Sequence, residues 1–481
     1  MTDFRPIELV VGYLLLGLGS LMAATALVDV AVGEGEWQAF ILSAAITGFT
    51  GGGLALSGRG ARLELGVREA FMLTTSCWLA VGTFAAFPFY LRAEFSYADA
   101  VFEAISGLTT TGSTVLVGLD TLPPGVLVWR SLLQWIGGIG IVAMAVLILP
   151  FLRVGGMQLF ATESSSRTEK ISARPIQIAL HIVRVYLILT VGCAIAYGVA
   201  GMTAFDAVNH AMTTVSTGGY STHDASLGYY PQPALHWIAA FFMAAGALPF
   251  VLYIKALNGD WRSLLRDQQV HGFLLLLVLC SLLITAWLAL SEGLGLANSL
   301  RLAVFNVVSV ATTTGYATAD YTAWGSFPTG AFLLLIFAGG CTGSTSGAIK
   351  TFRYQILLLM AHEQLRRLVM PHAAFRRRYN GQHVPEDIIP SVLAFLAVYL
   401  ISTCVLALGL GALGLDLVTS LSGAATAIGN VGPGIGPLIG PAGNFAALPD
   451  AAKWLLSAGM LLGRLELFTV LVLFTPFFWR V

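Results

Sequence analysis

The sequence is poor in charged residues and in cysteine. Only 10% of its 481 residues are Asp, Glu, Lys or Arg, and 57% are hydrophobic. Soluble domains carry roughly a quarter charged residues, so this chain does not belong to that class. Basic and acidic residues balance at 25 each, so no nucleic-acid partner is indicated. The five cysteines form no CxxC pair and have no metal-ligand spacing, so neither disulfides nor a cysteine metal site is predicted.

Catalytic and phosphate-binding motifs are also missing. No paired aspartates, Ser/His arrangement or HExxH lies within the apolar runs, which argues against an intramembrane enzyme. The glycine clusters Gly51–Gly53 and Gly155–Gly156 follow no predicted strand, so no nucleotide is expected to bind this chain. Any dependence on a nucleotide would have to come from a partner.

Long apolar runs are present from end to end. Runs of about 18 or more nearly uncharged residues can cross a bilayer as helices. Typical runs are Leu9–Val32, Phe71–Leu91, Val126–Leu152, Ile176–Ala200 and Leu274–Leu290. The first run lacks a small-residue cleavage site and is longer than a signal peptide, so it is predicted to be retained.

The placement of basic residues predicts an orientation. Most Lys and Arg lie near the two termini and in alternate segments between the runs, and the intervening loops hold only Arg92, Arg130, Arg301 and Lys453. By the positive-inside rule, both termini and the basic loops are expected in the cytoplasm.

Four short stretches can be laid over one another without gaps. They are Ala104–Gly112 (AISGLTTTG), Ala211–Gly219 (AMTTVSTGG), Val307–Gly315 (VVSVATTTG) and Ala424–Gly432 (AATAIGNVG). In each, a hydroxyl residue stands six positions before the final glycine, and apolar runs lie on both sides. The polar middle is too short to span a membrane and too apolar for an ordinary loop. Each stretch therefore predicts a re-entrant pore loop.

Four such loops around one axis would form an ion filter. Non-helical backbone at membrane depth persists only where protein buries it or water fills the cavity it lines. A ring of backbone carbonyls can replace the hydration shell of a monovalent cation, and glycine permits the backbone angles that this requires. The carboxyl ends of the pore helices add partial negative charge. No carboxylate lies in the Thr/Gly segments, which favours potassium over calcium.

Six motifs resemble the Trk/Ktr/HKT superfamily of potassium transporters, most closely its bacterial TrkH type, over nearly the whole chain. They are Phe102–Thr114 (FEAISGLTTTGST), Thr214–Asp224 (TVSTGGYSTHD), Ala311–Tyr316 (ATTTGY), Ala338–Lys350 (AGGCTGSTSGAIK), Ile428–Gly434 (IGNVGPG) and Gly463–Glu466 (GRLE). The resemblance implies an all-α polytopic membrane protein with four pseudo-symmetric M1–pore loop–M2 repeats around one pore. Two extra N-terminal transmembrane helices resemble TrkH rather than the shorter KtrB subunit.

The resemblance also implies partners and boundaries. It implies a homodimer in the cytoplasmic (inner) membrane, in contact with membrane lipid and with a cytoplasmic ring of nucleotide-binding regulatory subunits of the TrkA type. Residues 1–66 would hold the two N-terminal helices, 67–152 the first repeat, 153–257 the second and 258–354 the third with an intramembrane gate loop. Residues 355–481 would hold a basic cytoplasmic linker and the fourth repeat.

Carried over residue by residue, the resemblance implies a potassium-binding filter. Its predicted residues are Thr110, Thr111, Gly112, Thr217, Gly218, Gly219, Thr313, Thr314, Gly315, Asn430, Val431 and Gly432. The fourth loop departs from the others, because Ile428, Gly429, Asn430 and Val431 stand where they carry hydroxyl residues.

A run of small and polar residues, Ala338–Gly347, interrupts the third returning span. Such a run makes a poor lipid-facing helix, so it either packs closely against a neighbour or forms an unwound flap that blocks the pore. The run is long and stands in only one of the four repeats, and together with the resemblance this favours the flap. Lys350 would either snorkel to the interface or fix the flap. The predicted gate residues are Gly339, Gly340, Cys341, Thr342, Gly343, Ser344, Thr345, Ser346, Gly347, Lys350 and Arg464.

Arg464 stands in an apolar run. An intramembrane arginine costs at least about 2.5–3.5 kcal/mol on insertion scales, so it should face a partner or a wet cavity. Glu466 is a poor direct partner because residues two apart point to different sides of a helix. A tie to a neighbouring span and a positive charge in the ion path both remain open, and the resemblance favours the second.

Two further features have open interpretations. Asp120, Asp224 and Asp320 follow the first three filter glycines and are either ordinary loop acids or a vestibule that concentrates cations. The basic stretch His362–Arg378 would dock the regulatory ring or bind anionic lipid.

The predicted function is potassium-selective uptake through a channel-like pore, with no enzymatic activity. The alternatives are the pore subunit of an ATP-driven potassium pump and a less selective sodium/potassium transporter. The pump would be expected to need larger extracellular loops than this sequence has. A scaffold would not explain four glycine-ended loops. Coupling to protons or sodium, as in a symporter, stays open beside passive flux.

Overall fold

The chain is almost entirely helical. A computed structural model describes residues 4–33, 36–61, 66–92, 95–148, 175–372 and 376–480. Within these residues, seven helices are long and apolar enough to cross a membrane, or up to nine if each of two bent helix pairs counts as one span. The strands in the described chain form one short hairpin, Arg378–Tyr379 with Gln382–His383.

Two N-terminal helices, Arg5–Val32 and Trp37–Ser57, pack closely against each other. A Cβ atom on Gly12 would lie 2.7 Å from the Gly51 carbonyl oxygen, so the two backbones touch at small residues. Asp29 near the end of the first helix accepts a 2.6 Å hydrogen bond from the amide of Gly125. Gly125 lies in the first turn of the helix Pro124–Ala143, where the helix dipole favours an anion.

Four units follow, each with an outer helix, a pore helix and a returning segment. The outer helices are Val67–Ala85, Pro175–Val199, Gln268–Ser291 and Ile388–Ala412. The pore helices are Tyr97–Leu108, Ala204–Val215, Leu296–Ala311 and Leu417–Gly429. The returning segments begin with Pro124–Ala143, Pro233–Gly246, Ser326–Leu335 and Asp450–Arg464. We number these units 1 to 4 in chain order.

Shorter elements connect the units. Single-turn or short helices cover Phe87–Tyr90, Phe250–Leu257, Arg262–Arg266, Phe468–Leu471 and Pro476–Trp479, and a longer helix, Thr351–Val369, follows the third returning segment. Helical turns of other pitch are Leu119–Thr121, Met144–Ile148, Ser226–Tyr229, Tyr321–Trp324 and Val472–Phe474. The predicted boundary between residues 152 and 153 lies outside the described residues.

Three of the four pore helices begin with side-chain caps, and all four are largely buried. Ser96 and Thr203 each accept a backbone N–H three residues on, at 3.1 Å, and Asp416 accepts two, which satisfies donors that a helix start leaves open. The outer helices instead expose large apolar side chains, such as Val199 and Leu290, at 85% and 86%. The units therefore present apolar surface outward and surround the pore helices.

Three of the four returning segments are broken, although the sequence singles out only the third. In unit 2 the two helix pieces meet at 94°, because Pro249 has no amide to donate and bars the helix from continuing. In unit 4 the pieces meet at 104°, beside Glu466, which has a left-handed φ of 58°. In unit 3 the helix ends at Leu335, and the next helix begins at Thr351. The prediction concerned the run of small and polar residues, which stands in unit 3; the breaks in units 2 and 4 are of other kinds.

Candidate ion filter and gate

The backbone of the four pore loops repeats. The residue two before each filter glycine is not glycine, yet it adopts the left-handed region, with φ of 51°, 51°, 60° and 53° at Thr110, Thr217, Thr313 and Asn430. The glycines follow at 86°, 80°, 84° and 107° at Gly112, Gly219, Gly315 and Gly432. A left-handed residue with a Cβ atom costs roughly 1–2 kcal/mol, so the surrounding structure must hold each loop in place.

The hydroxyl residue of each aligned motif anchors its loop. The residue just before each glycine donates its N–H to the carbonyl of that hydroxyl residue: Thr111 to Ser106 at 2.9 Å, Gly218 to Thr213 at 2.9 Å, Thr314 to Ser309 at 2.8 Å and Val431 to Thr426 at 3.1 Å. In units 1 and 3 the hydroxyl itself also donates to the residue after the glycine, at 2.6 Å. This hydrogen bond spans five residues, and the glycine follows directly after its donor, so the bond recurs at the aligned position in all four loops.

The four loops meet in a closed ring. A Cβ atom on Gly112 would overlap the carbonyl oxygen of Gly218 in the next unit. The same overlap arises between Gly219 and Thr314, and between Gly315 and Val431. A Cβ on Gly432 would lie 2.8 Å from the carbonyl oxygen of Thr111, which returns to unit 1. The four predicted filter loops are therefore neighbours in a closed cycle, with each glycine against a carbonyl of another loop.

A small cavity of about 80 Å³ lies against the ring, on the side of the residues that follow the glycines. Its lining includes all four filter glycines, together with Arg130 and Asp224. We call it the outer cavity. Its position makes it the approach to the filter.

The three predicted vestibule acids take different positions. Asp224 lines the outer cavity and accepts the Leu119 amide at 3.1 Å. Asp120 hydrogen-bonds to the ring of His223, beside Asp224. Asp320 instead accepts two hydrogen bonds from Thr322, which cap a short helical turn, and it is not part of the cavity lining.

Sequence reasoning missed a buried ion pair beside the outer cavity. Arg130, which the charge pattern assigns to a loop, lies inside the first returning helix and pairs with Glu103 of the first pore helix at 2.8 Å. Both side chains are 1% exposed. The only available signal was Arg130 itself, a charge inside the apolar run Val126–Leu152.

The predicted gate segment lies on the opposite side of the ring, and residues 339–350 are buried throughout. Thr345 donates its hydroxyl to the carbonyls of Val215 and Gly246 in unit 2, at 3.1 and 2.9 Å. It also accepts the hydroxyl of Thr217 at 3.1 Å. The segment is thus attached directly below the second filter loop.

The gate segment also contacts units 3 and 4. The amide of Gly347 donates to the hydroxyl of Thr313 at 2.7 Å, and the amide of Ala348 donates to the carbonyl of Gly429 at 2.8 Å. Thr313 is one of the left-handed filter residues. Three of the four loops therefore rest on this segment.

The break in unit 2 receives the gate segment. Cys341 donates its amide to the carbonyl of Ala247 at 2.8 Å, and the amide of Phe250 donates to the carbonyl of Gly343 at 2.9 Å. Backbone groups freed by the break in one unit satisfy those of the unwound segment in another, as burial of irregular backbone demands.

The two predicted basic gate residues both touch the segment. Lys350 is buried and donates to the carbonyl of Ser346, so it contacts the segment instead of snorkelling outward. Arg464 is 2% exposed and donates from Nη1 to the carbonyl of Thr345 at 3.0 Å. Its Nε and Nη2 have no hydrogen-bond partner among the described residues. Glu466 pairs with Arg353 at 2.7 Å and not with Arg464.

The hairpin Arg378–Tyr379 with Gln382–His383 is connected to the gate segment. Asn380 stands at the hairpin turn. Its side-chain oxygen accepts the backbone N–H of Gln268 at 2.8 Å, and its backbone N–H donates to Gln268 Oε1 at 2.9 Å. The neighbouring residue Gln269 accepts the amide of Thr342 in the gate segment at 2.6 Å. Consecutive residues thus contact the hairpin and the gate.

Glu363, on the helix Thr351–Val369, holds the base of this hairpin through Arg377, and Arg367 of the same helix adds a second contact. Arg377 and Arg367 donate to the carboxylate of Glu363 at 2.5 and 2.6 Å. The hydrogen bond from Arg377, with a further one from Arg367, lowers the pKa of Glu363 from 4.5 to about 2.

Comparison with known proteins decides the family. Residues 36–481 match the TrkH family model, which is described as a cation transport protein. The chain belongs to the TrkH family. The Trk system potassium uptake protein TrkI of Halomonas elongata is 53% identical over 414 residues, covering 86% of this chain and 84% of that protein. The Trk system potassium uptake protein TrkH of Escherichia coli K12 is 38% identical over 488 residues, 99% of each.

The TrkH fold is shared over the whole chain. The crystal structure of the potassium transporter TrkH from Vibrio parahaemolyticus is 35% identical, with a TM-score of 0.92 and full coverage of both chains. The predicted family and the predicted all-α polytopic fold are confirmed. The chain is a multi-pass membrane protein.

Proposed function

We propose that this chain carries potassium across the cytoplasmic membrane into the cell, through the ring formed by its four pore loops. The closed ring of glycines and neighbouring-unit carbonyls carries the proposal. Carbonyl oxygens in such a ring can replace water around a monovalent cation. Relatives named potassium uptake proteins support the choice of ion.

The distribution of acidic groups supports selection by backbone. The ring itself contains no carboxylate, whereas Asp224 lies in the outer cavity. A carboxylate in the outer cavity, outside the ring itself, would raise the local cation concentration without binding the ion tightly. Potassium would bind at the filter residues as the transported ion.

The buried segment 339–350 is proposed as the gate. It rests on loops of units 2, 3 and 4 through hydrogen bonds that must break if it moves. Arg464 would help to keep it closed, both through the hydrogen bond to Thr345 and as a positive charge near the path of a cation.

A cytoplasmic partner is proposed to move the gate. The contacts from Asn380 through Gln268 and Gln269 to Thr342 give a continuous connection from a cytoplasmic hairpin to the gate segment. The basic stretch His362–Arg378 leads into that hairpin and would dock a nucleotide-binding ring of the TrkA type. The functional unit would be a homodimer in contact with membrane lipid, with both termini in the cytoplasm, as the positive-inside rule favours.

Flux into liposomes tests the proposal. Purified protein, with its regulatory ring, should take up labelled rubidium or potassium in preference to sodium. The protein should also restore growth of potassium-uptake-deficient cells at low external potassium. Absence of potassium and rubidium flux, with and without the partner and with and without ion gradients, would refute the function.

A further inference from the structure

The ion pair between Glu103 and Arg130 lies directly behind the outer end of the filter. Glu103 stands on the first pore helix, and Arg130 lines the outer cavity together with the four filter glycines. Burial of two charges is costly unless geometry and hydrogen bonding are nearly complete. The contacts of both side chains therefore matter.

Both side chains are fully engaged with segments that leave the filter. Arg130 donates to the carbonyl of Ser221 at 2.9 Å and to the hydroxyl of Thr114 at 3.2 Å. Glu103 accepts the Thr114 hydroxyl and the Val115 amide, each at 3.0 Å. Thr114 and Ser221 each stand two residues after a filter glycine, in units 1 and 2 respectively. One ion pair thus joins the outer ends of two adjacent filter loops.

An aromatic contact adds to this connection. The guanidinium carbon of Arg130 lies 4.1 Å from the ring centre of Tyr220, the residue after the second filter glycine. The Tyr220 hydroxyl donates back to the carbonyl of Glu103 at 2.9 Å. Glu103, Arg130 and Tyr220 therefore form a closed set across the boundary between units 1 and 2.

The internal repeat gives independent support for a positioning role. Aligned without gaps, the position of Glu103, nine before the glycine, is His210 in unit 2, Asn306 in unit 3 and Gly423 in unit 4. His210 contacts the Ser221 hydroxyl at 2.9 Å, and Asn306 donates to the Thr318 hydroxyl at 2.9 Å. In units 1, 2 and 3 the side chain at this position hydrogen-bonds to the segment that follows the filter glycine, and in unit 1 that side chain is a carboxylate.

We propose that Glu103 and Arg130 are specificity-determining positioning residues for the potassium filter. They hold the outer ends of the first two loops at fixed separation, and Glu103 neutralises a guanidinium that would otherwise repel cations in the outer cavity. The inference rests on the proposed function, because it concerns selection of the same ion at the same ring.

Two conservative variants test the inference. Glu103→Gln keeps the shape and removes the charge, whereas Arg130→Lys keeps the charge and loses the forked donor geometry. Rubidium and sodium flux into liposomes are measured per folded molecule, with folding judged by gel filtration and thermal unfolding. We expect the rubidium-to-sodium flux ratio to fall by about tenfold in both, because each change leaves a buried charge poorly compensated.

A matched control separates selectivity from general disruption. Asp99 of the same pore helix pairs with Lys453 at 2.5 Å, outside the cavity lining. Asp99→Asn should keep the wild-type ratio. The inference is overturned if either test variant keeps the wild-type ratio, if the control loses selectivity equally, or if neither test variant folds, which would make the pair a stability element.

The wild-type protein in the same vesicles keeps the two ideas distinct. If the wild type does not prefer rubidium over sodium, the proposed function fails. If the wild type is selective and both test variants are equally selective, only the role of the ion pair fails.

Discussion

Replacing Arg464 with methionine should open the pore. Methionine keeps most of the apolar length of the side chain and removes the charge and every donor. In the structure this change deletes the hydrogen bond from Nη1 to the Thr345 carbonyl, at 3.0 Å, between two buried groups. It leaves the Thr345 hydroxyl bonds to unit 2 in place.

The structure sets the size of the effect. A hydrogen bond from a charged donor contributes about 1.5–3 kcal/mol. If the bond is made only in the closed state, its loss changes the free-energy difference between the closed and open states by that full amount. Such a shift corresponds to about 10- to 150-fold in the equilibrium constant. The overall stability should not fall in proportion, because Nε and Nη2 of Arg464 lack described partners and their burial is a cost.

The assay is rubidium flux into liposomes without the regulatory ring, normalised to folded protein. We expect basal flux in Arg464→Met to rise by at least about tenfold, with a weaker response to the ring. Lys453→Met is the control, because Lys453 is another buried cation of the same helix but pairs with Asp99 away from the gate. Unchanged basal flux in a folded Arg464→Met protein would refute the gating role.

Three other variants test the proposed filter, the connection to the proposed gate and the base of the hairpin. Gly315→Ala should abolish flux or its preference over sodium, because a Cβ there overlaps the Val431 carbonyl; Gly330→Ala, with open space around it, should change neither. Gln269→Ala should weaken the response of flux to the regulatory ring, and an unaltered response would contradict the proposed connection. Glu363 has a lowered pKa, so the wild-type advantage in thermal stability over Glu363→Gln should be complete above about pH 4.5 and disappear as pH falls towards 2. A constant difference across that range would argue against the carboxylate.

The repeated backbone of the four loops could be predicted from sequence because its requirements are local. A hydrogen bond five residues back and a left-handed residue before the glycine are properties of one short segment. The fourth loop illustrates this, since its letters differ from those of the others. Asn430 nevertheless adopts φ of 53°, because asparagine tolerates the left-handed region better than other residues with a side chain. The backbone is therefore repeated where the side chains are not.

The partners of the gate could not be predicted in the same way. The hydrogen bonds from the Thr345 hydroxyl depend on contacts between units far apart in the chain. The same is true of the hydrogen bond from Arg464 to the Thr345 carbonyl. A run of small residues does not predict the breaks in units 2 and 4, because neither has a long one. The pairing of Glu103 with Arg130 is likewise not predictable from sequence, because only the fold brings the two residues together.

Symmetry is needed at the filter and is not needed at the gate. A spherical ion without its water must be surrounded from all sides, so all four loops must present the same backbone, and they do. A single-file path is blocked by one obstacle, so one unwound segment is sufficient to close it. That segment contacts Thr217 and Thr313, whereas the hydroxyl of Thr110 in unit 1 has no hydrogen-bond partner among the described residues. Duplicated units can therefore diverge in side chains and in helix breaks, provided that the loop backbone is conserved between them.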